Sequence, residues 1–203
     1  VPYTLVSSSD TGTYHYPGDD LLIETGDVFS IEATISEKTA TGSTSVPDSP
    51  QGVFISTETI KLPEIDFIDG VRPDFETLMA FREAVQSFEL TVVWDNPNGE
   101  LYFVVIESIS NNQISIFPTD GKFAMGRFRQ VSKPTRESSY EIKIGELTYW
   151  GGYVAKVYRV NQEYSDLYEN LEQDSRDLNE PPTNIKNGLG IFSAFNSQNV
   201  YFE

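Results

Sequence analysis

Cysteine is absent from this 203-residue chain, and histidine occurs once, at His15. Without thiols there is no disulfide, no thiolate nucleophile and no thiolate metal centre. A single imidazole also excludes a zinc site built on several. Cations are scarce: 14 Lys and Arg stand against 31 Asp and Glu, for a formal net charge of −17. Such a surface repels phosphate backbones and anionic headgroups, which excludes nucleic acid as a partner and disfavours adsorption to anionic lipid. No run approaches the roughly 18 consecutive apolar residues of a membrane span. The chain opens Val1-Pro2-Tyr3 with no basic-then-apolar leader, and is expected to be a soluble, trimmed piece of something longer. Gly-x-Ser-x-Gly, phosphate-loop, Gly-x-Gly-x-x-Gly and His-Glu-x-x-His motifs are all missing. The expectation is a protein without catalytic residues, metal or cofactor.

What is present is apolar and aromatic enough, at 38% and 13%, to bury a real core in a chain of this length. Strand-like alternation dominates the first third. Phe29, Ile31, Ala33 and Ile35 share one parity, with Val28, Ser30, Glu32 and Thr34 on the other. Residues 21–24 and the Thr25-Gly26-Asp27 turn predict a hairpin with that strand. The Thr/Ser-rich stretch 38–47 fits either a loop or an edge strand ending at Pro47. Residues 53–62 predict a further strand. Asp74 is placed to cap a helix through about Gln86, with Phe75, Leu78, Met79 and Val85 as its apolar stripe. Asp95-Asn96-Pro97-Asn98-Gly99 is the strongest turn signal, and predicts an antiparallel hairpin between residues 90–94 and 101–106.

Residues 114–117 and 140–147 suggest additional strands. Tyr153, Val157, Val160, Tyr164, Leu167 and Leu171 recur at intervals of three and four, predicting a helix near 153–171. A glycine-rich segment, 188–195, then predicts a final strand. The fold class is mainly β: an antiparallel β-sandwich or barrel-like sheets with one or two packed helices. Residues 1–63 form an N-terminal β-rich, immunoglobulin-like portion, expected to be incomplete. Residues 64–203 form a C-terminal β-rich portion, and the two are compatible with one continuous domain.

Two places stand out as contact sites. Tyr14, His15 and Tyr16 put two aromatics and an imidazole beside the Pro17-Gly18 turn, a device for stacking on sugar rings or peptide side chains. Lys122, Arg127, Arg129, Lys133, Arg136 and Lys143 stand against only Glu137 and Glu141, a basic island in an acidic chain. Arg127 and Arg129, on one strand parity, are its candidate anchors for an acidic partner. Alternation groups Trp94 with Val92 and Leu90, as core. The acidic stretch Glu64, Asp66, Asp69, Asp74 and Glu76 lacks the spacing of a calcium loop.

The C-terminal order is informative: Thr148-Tyr149-Trp150, an aromatic-rich segment, Pro181-Pro182, then Asn184-Ile185-Lys186-Asn187-Gly188-Leu189-Gly190-Ile191-Phe192-Ser193-Ala194. Upstream stand Asp95-Asn96-Pro97-Asn98-Gly99-Glu100-Leu101-Tyr102-Phe103, and Thr44-Ser45-Val46-Pro47 with Pro50. Together these resemble a Bacteroidetes lipoprotein family known as domain of unknown function 4249. The resemblance spans most of the chain, is most specific over 184–194, and is poor over 64–87 and 118–139, which read as insertions. It implies a surface-exposed protein, lipid-anchored to the outer membrane through a cysteine outside this chain. It further implies an accessory or binding component of a TonB-dependent nutrient importer, while a glycan or peptide is the ligand expected from the stacking residues at 14–16. The alternatives are an adhesive or structural β-sandwich module and a carbohydrate-active enzyme.

Overall fold

The computed structural model describes residues 1–10, 12–63, 74–111, 114–116, 129–171 and 183–203. Its architecture is antiparallel β with two helices, and no described sheet closes into a barrel. Three short strands are β1 (Val6–Ser7) and β2 (Tyr14–His15), which pair with each other, and β5 (Phe54–Ile55). The longer N-terminal strands are β3 (Val28–Ile35) and β4 (Lys38–Ser45). Then come α1 (Phe75–Ser87), β6 (Leu90–Val93), β7 (Leu101–Ser108), β8 (Arg129–Val131) and β9 (Ser139–Ile142). A 3-10 turn (Ile144–Glu146), β10 (Tyr153–Val160), α2 (Gln162–Leu171), β11 (Ile185–Lys186) and β12 (Phe195–Phe202) complete the order.

A four-stranded sheet, β12-β10-β7-β8, faces a three-stranded sheet, β5-β6-β9. Between them lies the main core: Leu90, Val92 and Trp94, Tyr102, Val104 and Ile106, Tyr153, Ala155 and Val157, with Ile142 and Phe202. Burying such side chains is worth about 1.5–3 kcal/mol each and dominates the stability of the sandwich. The opposite face of the four-stranded sheet carries a second cluster of Leu101, Phe103, Val105 and Val160, with Tyr158 and Tyr164 packed against it. Phe103 stacks on Tyr158 at 4.8 Å, and Phe195 meets Tyr164 edge-on at 5.0 Å, which seats the first turn of α2 on the sheet. The segment after β5 runs along the chain end, where Ile60 N–H donates to Glu203 O at 2.6 Å and Glu203 N–H to Glu58 O at 2.8 Å.

A third sheet, β11-β4-β3, joins segments from both ends of the chain. β4 is its central strand rather than an edge or a loop. Its Gly42 allows close approach, since a Cβ there would come within 2.5 Å of Ile185 Cδ1. Asn161 ties this sheet to the sandwich: its amide donates to Thr44 Oγ1 at 2.8 Å and to Ser45 O at 2.7 Å. Strands drawn from residues 1–63 and 64–203 therefore share two sheets, through β5 with β6 and through β4 with β11.

Four further sequence expectations are corrected. Residues 153–160 are strand, and the second helix is confined to Gln162–Leu171. The intervals of three and four arise because β10 is buried on both faces: Tyr153, Ala155 and Val157 face the sandwich, while Tyr158 and Val160 join the second cluster. Its valines and tyrosines suit a pleated surface better than a helix. The 95–99 turn is real, with Gly99 at φ +65°, but the strands it connects lie in different sheets. They face each other across the core, Trp94 against Tyr102 at 5.4 Å, instead of pairing edge to edge. Residues 21–24 pair with no strand; β3 finds its hairpin partner in β4 instead. The last strand begins at Phe195, not in the glycine-rich run before it, where Asn184 cross-links the loop through Phe192. The helix at 74–86 forms as expected, capped by Asp74, whose carboxylate accepts the Thr77 backbone N–H at 2.8 Å.

Candidate functional site

The two predicted contact sites lie on separate sheets. Tyr14 and His15 form β2, which among the described residues pairs only with β1; Tyr14 is 63% exposed and His15 is exposed. Tyr16 turns back locally, its phenol donating to Asp20 and its ring meeting Tyr3 edge-on at 5.0 Å. That hydrogen bond to Asp20 raises the Tyr16 phenol above its ordinary value. Arg127 lies outside the described residues. Arg129 sits on β8, at the rim of the four-stranded sheet, where Glu107 takes its guanidinium at 3.2 Å and Lys156 at 2.6 Å. Glu107 is shared by both cations, so Arg129 is a cross-strand partner in a cluster that keeps one positive charge in excess, and its side chain remains 62% exposed. Hydrogen bonding to Glu107 holds the Lys156 ammonium above its ordinary value.

A more organised polar site lies where the third sheet meets the sandwich. A cleft of about 290 Å³ is lined by Asp48, Glu100, Arg136, Arg159, Asn161 and Gln162, with Ser45, Val46, Pro47, Leu101 and Val160 between them. Four separate segments supply the charges. Asp48 follows β4, Glu100 closes the 95–99 turn, Arg136 lies between β8 and β9, and Arg159 ends β10.

Arg159 is the anchor, its side chain 19% exposed, with Nη1 at 3.2 Å from Asp48 and Nη2 at 3.0 Å from Glu100. Arg136 donates from Nη1 to Gly99 O at 2.7 Å and from Nη2 to Gln162 Oε1 at 3.2 Å. Asn96 fixes the Glu100 loop: its amide donates to the carbonyls of Glu100 and Arg136, and its oxygen accepts the Glu100 N–H at 2.7 Å. The result is a cleft presenting two guanidinium groups and two carboxylates, cross-linked by these bonds, none of its described lining residues being aromatic. That arrangement suits a short ligand bearing both signs of charge.

Sequence reasoning named Arg136 only as one member of the basic island, and missed Asp48, Glu100 and Arg159. The available signal was a charge near the end of a strand-like run, Arg159 after Val157-Tyr158. The acids from Glu64 to Asp69 lie outside the described residues. Among the described residues, no three His, Asp or Glu side chains converge as a metal site. No described helix is long and apolar enough to cross a membrane.

Fold and cleft define an antiparallel β-sandwich protein with a charged groove at the junction of its sheets. The chain belongs to the family described as Domain of unknown function (DUF4249), whose sequence pattern matches residues 1–199. Comparison with curated proteins yields no match.

Proposed function

We propose that this protein is a non-catalytic binding component of the cell surface, capturing short peptides for a TonB-dependent importer. The observation that supports this reading is the cleft of Arg136, Arg159, Asp48 and Glu100. A peptide terminus carries an ammonium or a carboxylate, and the cleft offers a fixed partner for each. Arg136 has donors beyond its two observed bonds to receive a carboxylate in a forked geometry. Asp48 and Glu100, already oriented by Arg159, retain acceptor capacity for an ammonium. Such preorganisation lowers the ordering cost of binding. A glycan would find hydrogen-bond partners here but no stacking platform among the lining residues, so the peptide is the favoured ligand of the two.

The importer role and the lipid anchor rest on the sequence resemblance to a Bacteroidetes lipoprotein family. Affinity purification of the full protein from its own detergent-solubilised outer membranes tests that role. Co-purification of a TonB-dependent importer is the expected result. Recovery of the protein from the soluble fraction, free of any importer, contradicts it.

A further inference from the structure

A second cleft, sharing no residue with the first, opens beneath α1. It has a volume of about 540 Å³ and lies between that helix and the β9 end of the sandwich. Phe81, Ile116, Ile142, Ile144 and Leu147 are its buried apolar residues, and Leu78, Val85, Phe88 and Leu62 complete the apolar lining. Leu78, Phe81 and Val85 recur at three- and four-residue spacing on one helix face, so the sequence builds this wall deliberately amphipathic. The volume falls within the range of small-molecule sites, which are mostly apolar with a few orienting polar groups. Phe81, Ile116, Ile142, Ile144 and Leu147 pack into the sandwich core with Leu62 and Val85 against them, so the apolar surface left open to a ligand is mainly that of Leu78 and Phe88.

The charged members of the lining indicate the ligand's head. They are Arg82, Lys143 and Glu141, two cations against one carboxylate, in a chain where acids outnumber bases by 31 to 14. Lys143 is loosely paired with Glu146 at 3.7 Å, whereas Arg82 has no ion pair or hydrogen bond among the described residues. We infer that this cleft is a binding site for an anionic amphiphile, an aliphatic chain ending in a carboxylate that meets Arg82. The chain lies along Leu78, Val85 and Phe88, above the buried floor of Phe81, Ile142 and Ile144, and the carboxylate stays at the mouth, where the guanidinium fork receives it.

Isothermal titration of the 203-residue protein with monomeric decanoate tests the site, with decyl maltoside as a neutral head on the same chain. Decanoate is expected to bind at one site per molecule and to change the emission of Trp150. That tryptophan lines a small cavity sharing Leu62, Ile116, Ile144 and Leu147 with the cleft. Arg82→Gln, an exposed substitution, is expected to weaken decanoate about fivefold while leaving decyl maltoside unchanged. Leu78→Glu, which puts a carboxylate into the half-exposed wall, is expected to abolish both. Circular dichroism verifies that each variant is folded. Absence of decanoate binding overturns the proposal, as does equal affinity in wild type and both folded variants. Binding to phosphatidylglycerol vesicles without binding of monomeric decanoate also overturns it, and identifies a membrane surface contact instead.

Discussion

Single residues set the geometry at two turns. Ser36 and Glu37, which join β3 to β4, both sit at positive φ, +47° and +68°. This is the backbone of a type I′ turn, whose natural occupants are Asn and Gly. Left-handed conformation costs a non-glycine residue about 1–2 kcal/mol. Glu37→Gly is therefore expected to stabilise the protein by up to about 1 kcal/mol, seen as a higher melting temperature; a lower one contradicts the strain. Tyr153 acts as a buried clip, its phenol donating to Tyr149 O at 2.7 Å and accepting the Tyr149 N–H at 2.9 Å. Burial raises its ionisation above the ordinary phenol value, so the fold favours the neutral form. Its contribution is complete below the unfolded-state value near pH 10 and is lost as pH rises through the folded one. Tyr153→Phe is expected to cost about 1–2 kcal/mol at neutral pH and to flatten the alkaline limb of the stability profile. Denaturant titrations at pH 8 and pH 11 measure both effects, and an unchanged alkaline slope counts against the clip.

At the scale of elements, α1 depends on its cap. The Thr77 N–H holds the Asp74 carboxyl below its ordinary value. A lowered folded-state value means that the stabilisation exists above the unfolded carboxyl value and disappears as pH falls through the folded one. Asp74→Ala is expected to lower the melting temperature at pH 7 and to lower it less as the pH falls and the cap protonates; a loss independent of pH assigns the cost to something other than the charged cap. Local signals made this helix and the β3 strand legible, through a capping acid and strict alternation, but the expected stripe was misplaced: Phe75 and Met79 are exposed, and Phe81 is the residue the helix buries. Pairing partners were not legible in the same way. The 95–99 turn announces a reversal of direction, but whether its flanks join one sheet or face each other depends on where Trp94 and Tyr102 are buried. β10 misled for a related reason. Burial on both faces erases the period of two, and Tyr153, Val157 and Val160 then mimic a helical stripe.

For the whole molecule, the seam between the third sheet and the sandwich carries both cohesion and the proposed function. Asn161 bridges it with two hydrogen bonds, and Arg159 with an ion pair to Asp48. Asn161→Ala is expected to cost about 1–2 kcal/mol and to raise hydrogen exchange in β4 while β7 and β10 stay protected. Uniform loss of protection contradicts a local seam. The cleft on this seam was nearly invisible in the sequence because Asp48, Glu100, Arg136 and Arg159 converge only after four segments fold together. Tyr14 and His15 were visible because they are adjacent in sequence, yet the fold leaves them on a two-stranded ribbon that does not line the charged cleft. The most direct test of the account is calorimetric titration of the protein with trialanine and with maltotriose, repeated on Arg136→Ala. Saturable binding of trialanine, weakened at least tenfold by that substitution and without a maltotriose counterpart, is the predicted result. Trialanine binding that Arg136→Ala leaves unchanged, or no binding at all, contradicts the central claim.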